Sequence, residues 1–159
     1  MKKILLFSGL LIGTVLGGFI GHAVTVMKWG LREGKIARAY EESRIGAFGS
    51  NAFLAYLNEP ADAGIYALRY HLSELDNQEQ KWGINWAVLQ MADVNWMRAS
   101  ANVRLANLYM KTGKGELASN HLDVAWQAFS RMGIRVRGIT TKHDLIGYIQ
   151  QEDKKERWW

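Results

Sequence analysis

Four histidines, fifteen carboxylates and no cysteine are the side chains of this 159-residue chain from which chemistry could be built. A helical zinc site sets two histidines four residues apart with an acid beside them. His22, His71, His121 and His143 show no such spacing, and neither HExxH nor ExxH occurs. His71 has Glu74 one turn later, which reads as a surface pair. The lack of cysteine excludes disulfides, thiolate catalysis and Cys-based zinc sites. Most acids (Glu41, Glu42, Asp62, Glu74, Asp76, Glu79, Asp123, Asp144) stand in polar surroundings. Asp93 is the exception, because Leu89 and Met97, one turn to either side, are apolar and burial there would raise its pKa. No second carboxylate is placed to divide acid and base work with it, and such a lone acid is otherwise a wet edge position or the partner of an Arg from another helix. GxSxG, the P-loop and GxGxxG in a strand context are all missing, and Gly113-Lys114-Gly115 reads as a turn. The expectation is a non-enzyme with no metal and no cofactor. An envelope enzyme built around Asp93 or a histidine in a polar pocket is one alternative.

The strongest pattern lies outside that list. Ile4 to Met27 is a 24-residue run without Lys, Arg, Asp or Glu. As a helix it would extend roughly 36 Å, enough to cross a bilayer core of ~30 Å with some tilt. Gly9, Gly13, Gly17 and Gly21 recur every four residues along it, with Thr25 extending the row. A glycine face lets another membrane helix approach backbone to backbone. Each glycine weakens a helix by about 1 kcal/mol unless packing compensates, so a row in register predicts a partner: another transmembrane protein or a second copy of this chain. Lys2, Lys3 and Gly21-His22-Ala23 imitate a signal peptide, but the run is longer than an h-region and continues past Ala23. An uncleaved anchor is expected. Trp29 sits where an interfacial aromatic belongs, within a basic collar of Lys28, Arg32, Lys35 and Arg38. His22, inside the run near its outer end, can snorkel to the interface. The collar alone favours a cytoplasmic C-terminal domain; the short Lys2-Lys3 head favours a signal anchor in a bacterial inner membrane with the domain in the periplasm, the arrangement adopted here.

The remainder suffices for one domain with a core. Pro60 is its single proline, and no β-type alternation persists, so the fold class is all-α. The expected organisation is a transmembrane anchor over 1–28, a juxtamembrane helix over 29–57, a helical domain over 58–150 and a basic, aromatic tail over 151–159. Gly46 and Gly49 mark a possible break in the juxtamembrane helix. Asn58-Glu59-Pro60 stops it. A second helix is expected over about 60–75, with Ile65, Leu68, Leu72 and Leu75 on one stripe, ended by Asp76-Asn77. The third is expected to be long, from about Gln78 to Met110, with one stripe through Trp82, Trp86, Leu89, Trp96, Ala99, Val103 and Met110. A second stripe of Met97, Ala101, Leu105 and Leu108 implies burial on a wide face and a central place. After the turn at Lys111 to Gly115, a fourth helix takes Ala118, Leu122, Ala125 and Phe129 inward. Thr141-Lys142-His143-Asp144 has the form of a capping box opening a fifth.

Leu105-Ala106, Tyr109, Ala118, Leu122 and Ala125 stand at the offsets of a single tetratricopeptide repeat, a 34-residue helix-turn-helix unit. The stretch 99–132 resembles that family, except that Asn102 replaces the early aromatic and Ser130 the late proline. A fainter echo, Leu54-Ala55 with Ala67, lies 51 residues earlier, off the 34-residue period. The resemblance implies tetratricopeptide-like antiparallel hairpins, four or five helices in all, that bind protein.

The net charge is +5, but the basic residues are dispersed without a recognition motif, so anionic lipid headgroups are expected and nucleic acid is not. Seven tryptophans exceed the needs of a small core. Trp29, Tyr66, Tyr70, Trp96, Trp158 and Trp159 are candidate interface contacts, since aromatic anchors dominate protein interfaces. Trp96 joins such a patch only if the Met97 stripe is the deeper one. The reading is a non-catalytic accessory or scaffold subunit of a membrane complex. A membrane-anchored immunity or exclusion protein that neutralises a toxin or phage component is the other alternative.

Overall fold

A computed structural model describes the backbone of residues 2–83, 86–133 and 138–156, and within it the side chains of 22–83, 86–133 and 138–155. The fold is all-α, with five helices and no strand among the described residues: α1 (Lys2–Asn58), α2 (Ala61–Trp82), α3 (Met91–Lys111), α4 (Gly115–Ser130) and α5 (Lys142–Glu156). The chain divides into two compact units, 1–39 and 40–159.

In the first unit the described side chains are largely exposed. Val24, Val26, Met27, Trp29, Leu31 and Ile36 all face outward. No helix among the described residues is long and apolar enough to cross a membrane. Gly9, Gly13, Gly17, Gly21 and the apolar side chains between them lie outside the residues whose surroundings are described.

The second unit begins earlier than the sequence pattern suggests. From Tyr40 onward α1 belongs to the helical domain, because Ile45, Ala52 and Tyr56 are buried in its cores. Neither Gly46 nor Gly49 breaks α1. At Gly49 the approach is close: a Cβ there would lie 3.0 Å from Cε1 of His71. The chain turns at Glu59-Pro60, where Pro60 at φ −54° and ψ 151° starts α2.

The long third helix expected over 78–110 is instead the end of α2, a connection that is non-helical over 86–90, and α3. Asp76-Asn77 do not end α2, which runs to Trp82 and stops at Gly83, whose φ of +61° favours glycine. The two carboxylates of Glu41-Glu42 explain why leaving the helix is stable here. Glu41 accepts hydrogen bonds from Lys81 Nζ at 2.7 Å and from Trp82 Nε1 at 2.9 Å, and these hold its carboxyl below the usual range. Glu42, buried on α1, accepts the backbone N–H of Val88 and Leu89 at 2.7 and 2.8 Å, and that of Ala87 on its other oxygen. Three peptide donors that a helix would have satisfied internally are thus satisfied by one side chain. Asp93 then caps α3, accepting from the Gln90 N–H at 2.9 Å in a capping box. It is exposed at the third helical position, so of the readings open to Asp93 the wet edge position is the one realised, and the carboxylate is a helix cap.

Helix α3 is central, as its two apolar stripes predict. With α1, α2 and α4 it builds one core around Leu68, Leu105 and Tyr109; with α4 and α5 it builds a second around Val103, Phe129, Leu145 and Ile149. Ile45, Leu75 and Val94 form a third cluster beneath the α2–α3 connection, joined by Trp86, Leu89 and Met97. Both stripes are buried through the middle of α3, Ala99, Val103 and Ala106 on one and Ala101, Leu105 and Leu108 on the other, whereas Met110 at the end of the first is 64 % exposed. Gly113, with φ +73°, makes the turn into α4. The residues that resemble a tetratricopeptide hairpin lie between α3 and α4, and all but the half-buried Leu122 are buried. At the position of the missing aromatic, Asn102 is buried and polar. Its Oδ1 lies 2.7 Å from His121 Nδ1, its amide donates to the Arg98 carbonyl, and the His121 ring stacks on Tyr109 at 5.3 Å.

Thr141 and Asp144 form the expected cap of α5. The Asp144 carboxylate accepts from the amides and hydroxyls of Thr140 and Thr141, which hold its pKa down at about 2, the Thr140 amide contributing most. The helix continues to Glu156, so residues 151–156 are helix, not tail, and Asp153 is buried on it.

Candidate functional site

The most polar part of the interior lies where α1, α2, α3 and α5 approach one another. Arg104, from the middle of α3, directs Nε and Nη2 at a single oxygen of Asp153, Oδ1, at 3.1 and 2.7 Å. Its guanidinium lies 4.3 Å from the centroid of Phe53 and 6.0 Å from that of Tyr56, both on α1. Cation–π contact and ion pairing therefore fix the same group from two helices. The side chain of Arg104 is 18 % exposed and that of Asp153 5 %, so the pair is screened far less than a surface bridge.

Two cavities flank this pair. One, of about 260 Å³, opens between α1, α2 and α3. Phe53, Trp96 and Met97 give it an apolar wall, and His71 and Arg104 give it a polar one. Gly46, Gly49 and Ser50 line it from α1 beside Phe53. The other, of about 320 Å³, is lined by Tyr56, Asn107, Lys111, Gln150, Asp153 and Lys154. Each cavity borders an ionisable group with an unpartnered atom: Nδ1 of His71 in the first, Oδ2 of Asp153 in the second. An unmade hydrogen bond at a buried atom costs about 1–3 kcal/mol. A fold retains such a group where water or a ligand completes it.

His71 is not the surface partner of Glu74 that its spacing suggests. It is 4 % exposed, with its ring against the Gly49 backbone. Burial first, and the Arg104 charge second, push its pKa from 6.5 to about 4, so it is neutral at physiological pH. Such an imidazole is a poor general base. The nearby hydroxyls are engaged elsewhere: Ser50 donates to the Gly46 carbonyl and Ser100 to the Met97 carbonyl, each at 3.1 Å. A Ser–His relay is therefore not assembled here. What the cavity offers is recognition: one neutral ring with a donor and an acceptor, one fixed cation, and a flat apolar wall. No group of three or more His, Asp or Glu is placed to hold a metal ion among the described residues.

The candidate interface aromatics fall in separate places. Trp29 is 60 % exposed in the first unit. In the second, Tyr66 is 73 % exposed and Tyr70 meets Phe48 edge-on at 5.3 Å. Both line a shallow groove of about 480 Å³ with Asp62, Ile65, Arg69 and Ser73. Trp96 does not join them. It is half-buried, packs edge-on to Tyr148 at 5.9 Å and walls the His71 cavity. Trp158 and Trp159 lie outside the described residues.

Arg104 and Asp153 carry no expectation from the sequence, and Glu42, expected in polar surroundings, is buried. A signal existed for Asp153, since Leu145, Ile149 and Asp153 recur every four residues on one stripe of α5. An acid on an apolar stripe is the criterion that selected Asp93. Assigning 151–159 to a tail hid it. No protein-family model, curated protein or solved structure matches this chain.

Proposed function

We propose that this protein is a non-catalytic helical interaction module held at a membrane, an accessory or scaffold subunit of a membrane complex. The observation that carries the reading is the exposure of Val24, Val26, Met27, Trp29, Leu31 and Ile36 on one helix, directly after an apolar run. Six large apolar side chains in water are unfavourable by roughly 25 cal/mol per Å² of surface. Lipid, or a second helix, covers them at a gain. The exposed Lys28, Arg32 and Lys35 among them suit anionic headgroups. Under this reading residues 1–28 form a single-pass anchor in a bacterial inner membrane, with the domain on the periplasmic side. Gly9, Gly13, Gly17 and Gly21 form the face that packs on another transmembrane helix.

The helical domain supplies the second contact. The groove beside Tyr66 and Tyr70 combines exposed aromatic area with Asp62 and Arg69 at its edge, the composition of a protein contact with a polar rim. The tetratricopeptide-like packing of α3 on α4 supports the same role. The committed hydroxyls around His71 and its weak basicity argue against the enzyme alternative.

The test is copurification of the tagged chain from native membranes in mild detergent, beside a Gly13→Leu, Gly17→Leu variant and a Tyr66→Ala, Tyr70→Ala variant. Defined partners with the wild type, lost from either variant, are the expected result. A chain recovered in the soluble fraction, or recovered alone and unchanged by both variants, overturns the reading.

A further inference from the structure

We propose that the cavity between α1, α2 and α3 is a binding site for a small aromatic carboxylate, which would make the domain ligand-responsive. The proposal stands independently of the membrane reading. Its first support is the shape. At about 260 Å³ the space suits one ring with one short polar group, not a peptide or a nucleotide. Phe53, Trp96 and Met97 provide the wall against which a flat ring packs, and Gly46, on α1 with Phe53, leaves open space beside it. At Gly46 nothing lies within 4 Å of where a Cβ would stand, so the glycine there is not demanded by core packing. It keeps the cavity open.

The second support is the polar end. His71 is buried, lines the cavity and has no partner for Nδ1. The neutral ring carries one N–H, which a carboxylate oxygen can accept. Arg104 spends Nε and Nη2 on Asp153, and Nη1 makes no hydrogen bond among the described residues, so it is available to the same carboxylate. A charge-assisted pair of donors converging on one group is the usual means by which a mostly apolar pocket fixes orientation.

The third support is the field. Arg104 offsets Asp153, and Lys111 Nζ lies 6.0 Å from the Tyr56 ring, which Arg104 approaches at the same distance. Lys154 lines the neighbouring cavity with Asp153. Of the residues that line the proposed site Arg104 alone is charged, and with Lys111 and Lys154 lining only the neighbouring cavity, the local field disfavours an amine and favours an anion. The aromatic wall decides between anions: a phosphate has no surface to place against Phe53 and Trp96, whereas a benzoate ring does.

The experiment uses the full chain in an uncharged maltoside detergent, with benzoate as the probe and saturation-transfer NMR as the readout. Benzoate should bind in the millimolar range, benzamide about tenfold more weakly for lack of charge, and inorganic phosphate should not displace benzoate. Gly46→Leu places its side chain in the cavity from an unobstructed position. It should retain the helical circular dichroism of the wild type and melt no lower, since leucine is the better helix former, while losing the benzoate signal. A wild type that gives no signal, a Gly46→Leu variant that binds equally, benzamide that binds as well as benzoate, or phosphate that displaces it would each overturn the proposal.

Discussion

Replacing Glu42 by Gln removes a charge and one acceptor while preserving shape, and the structure sets the size of the effect. The Glu42 carboxylate accepts three backbone N–H groups, from Ala87, Val88 and Leu89, and the residue is only 5 % exposed. A hydrogen bond to a charged group is worth about 1.5–3 kcal/mol net, and a neutral one about 0.5–1.5. In Glu42→Gln the amide oxygen can keep Val88 and Leu89 as neutral bonds, a loss of about 1 kcal/mol each. The amide NH₂ then faces the Ala87 N–H, donor against donor, for about 2 kcal/mol more. Two effects offset part of that total. A neutral amide is less costly to bury than a carboxylate, and Ala87 and Val88 are exposed, so water can reach their amides. The net expectation is a destabilisation of about 2 kcal/mol. For the unit spanning 40–159, an unfolding entropy of about 0.25 kcal/mol/K converts this into a melting temperature lower by about 8 °C. Thermal unfolding followed by circular dichroism reads the global change. Amide hydrogen exchange reads the local one, with Val88 and Leu89 exchanging about 30-fold faster if the same 2 kcal/mol appears as loop opening. A shift below about 2 °C together with unchanged exchange at 87–89 would refute the idea that one carboxylate holds this connection.

Two further predictions follow from neighbouring positions. Gly46→Ala should stabilise the protein by about 1 kcal/mol in urea unfolding, through helix propensity alone, because its Cβ meets nothing within 4 Å. Gly49→Ala should lower stability by about 1–2 kcal/mol in the same assay, because its Cβ would stand 3.0 Å from Cε1 of the buried His71 ring. Equal effects at the two sites would mean that the ring yields freely. Burial of neutral His71 makes stability pH-dependent with a definite sign. The folded pKa, about 4, lies below the ordinary 6.5, so between them the unfolded chain binds the extra proton. The contribution is complete above about pH 6.5 and is lost as pH falls toward 4, by up to about 3 kcal/mol. Urea midpoints measured across that window should fall for the wild type and fall less steeply for His71→Leu. Parallel slopes would place the protonation elsewhere.

The parts of the fold that were legible share one property: they rest on interactions within a few residues or on a repeated apolar period. The Thr141–Asp144 cap of α5, the turn at Gly113 and the two stripes of α3 are of this kind, and each is present. The parts that were not legible rest on partners far along the chain. The apolar period runs through Trp82, Trp86 and Leu89 without interruption, and helix would be the local choice for those residues. Glu42, some 45 residues away, supplies acceptors for the peptide groups of 87–89 and makes the break possible. The same separation explains His71 and Asp153. His71 reads as a surface pair with Glu74, and Asp153 falls in the stretch read as a tail; one is buried by Gly49 on α1 and the other is held by Arg104 on α3.

The sequence by itself therefore determined the helical class, the central place of α3, the capping of α5 and the apolar, glycine-spaced character of the N-terminal run. Periodicity and capping are local properties, and a single chain displays them without reference to what packs on it. Only the tertiary structure decided which polar groups enter the interior. Whether a carboxylate or an imidazole stays in water depends on the donors and charges that distant helices bring to it, and no spacing along the chain carries that information.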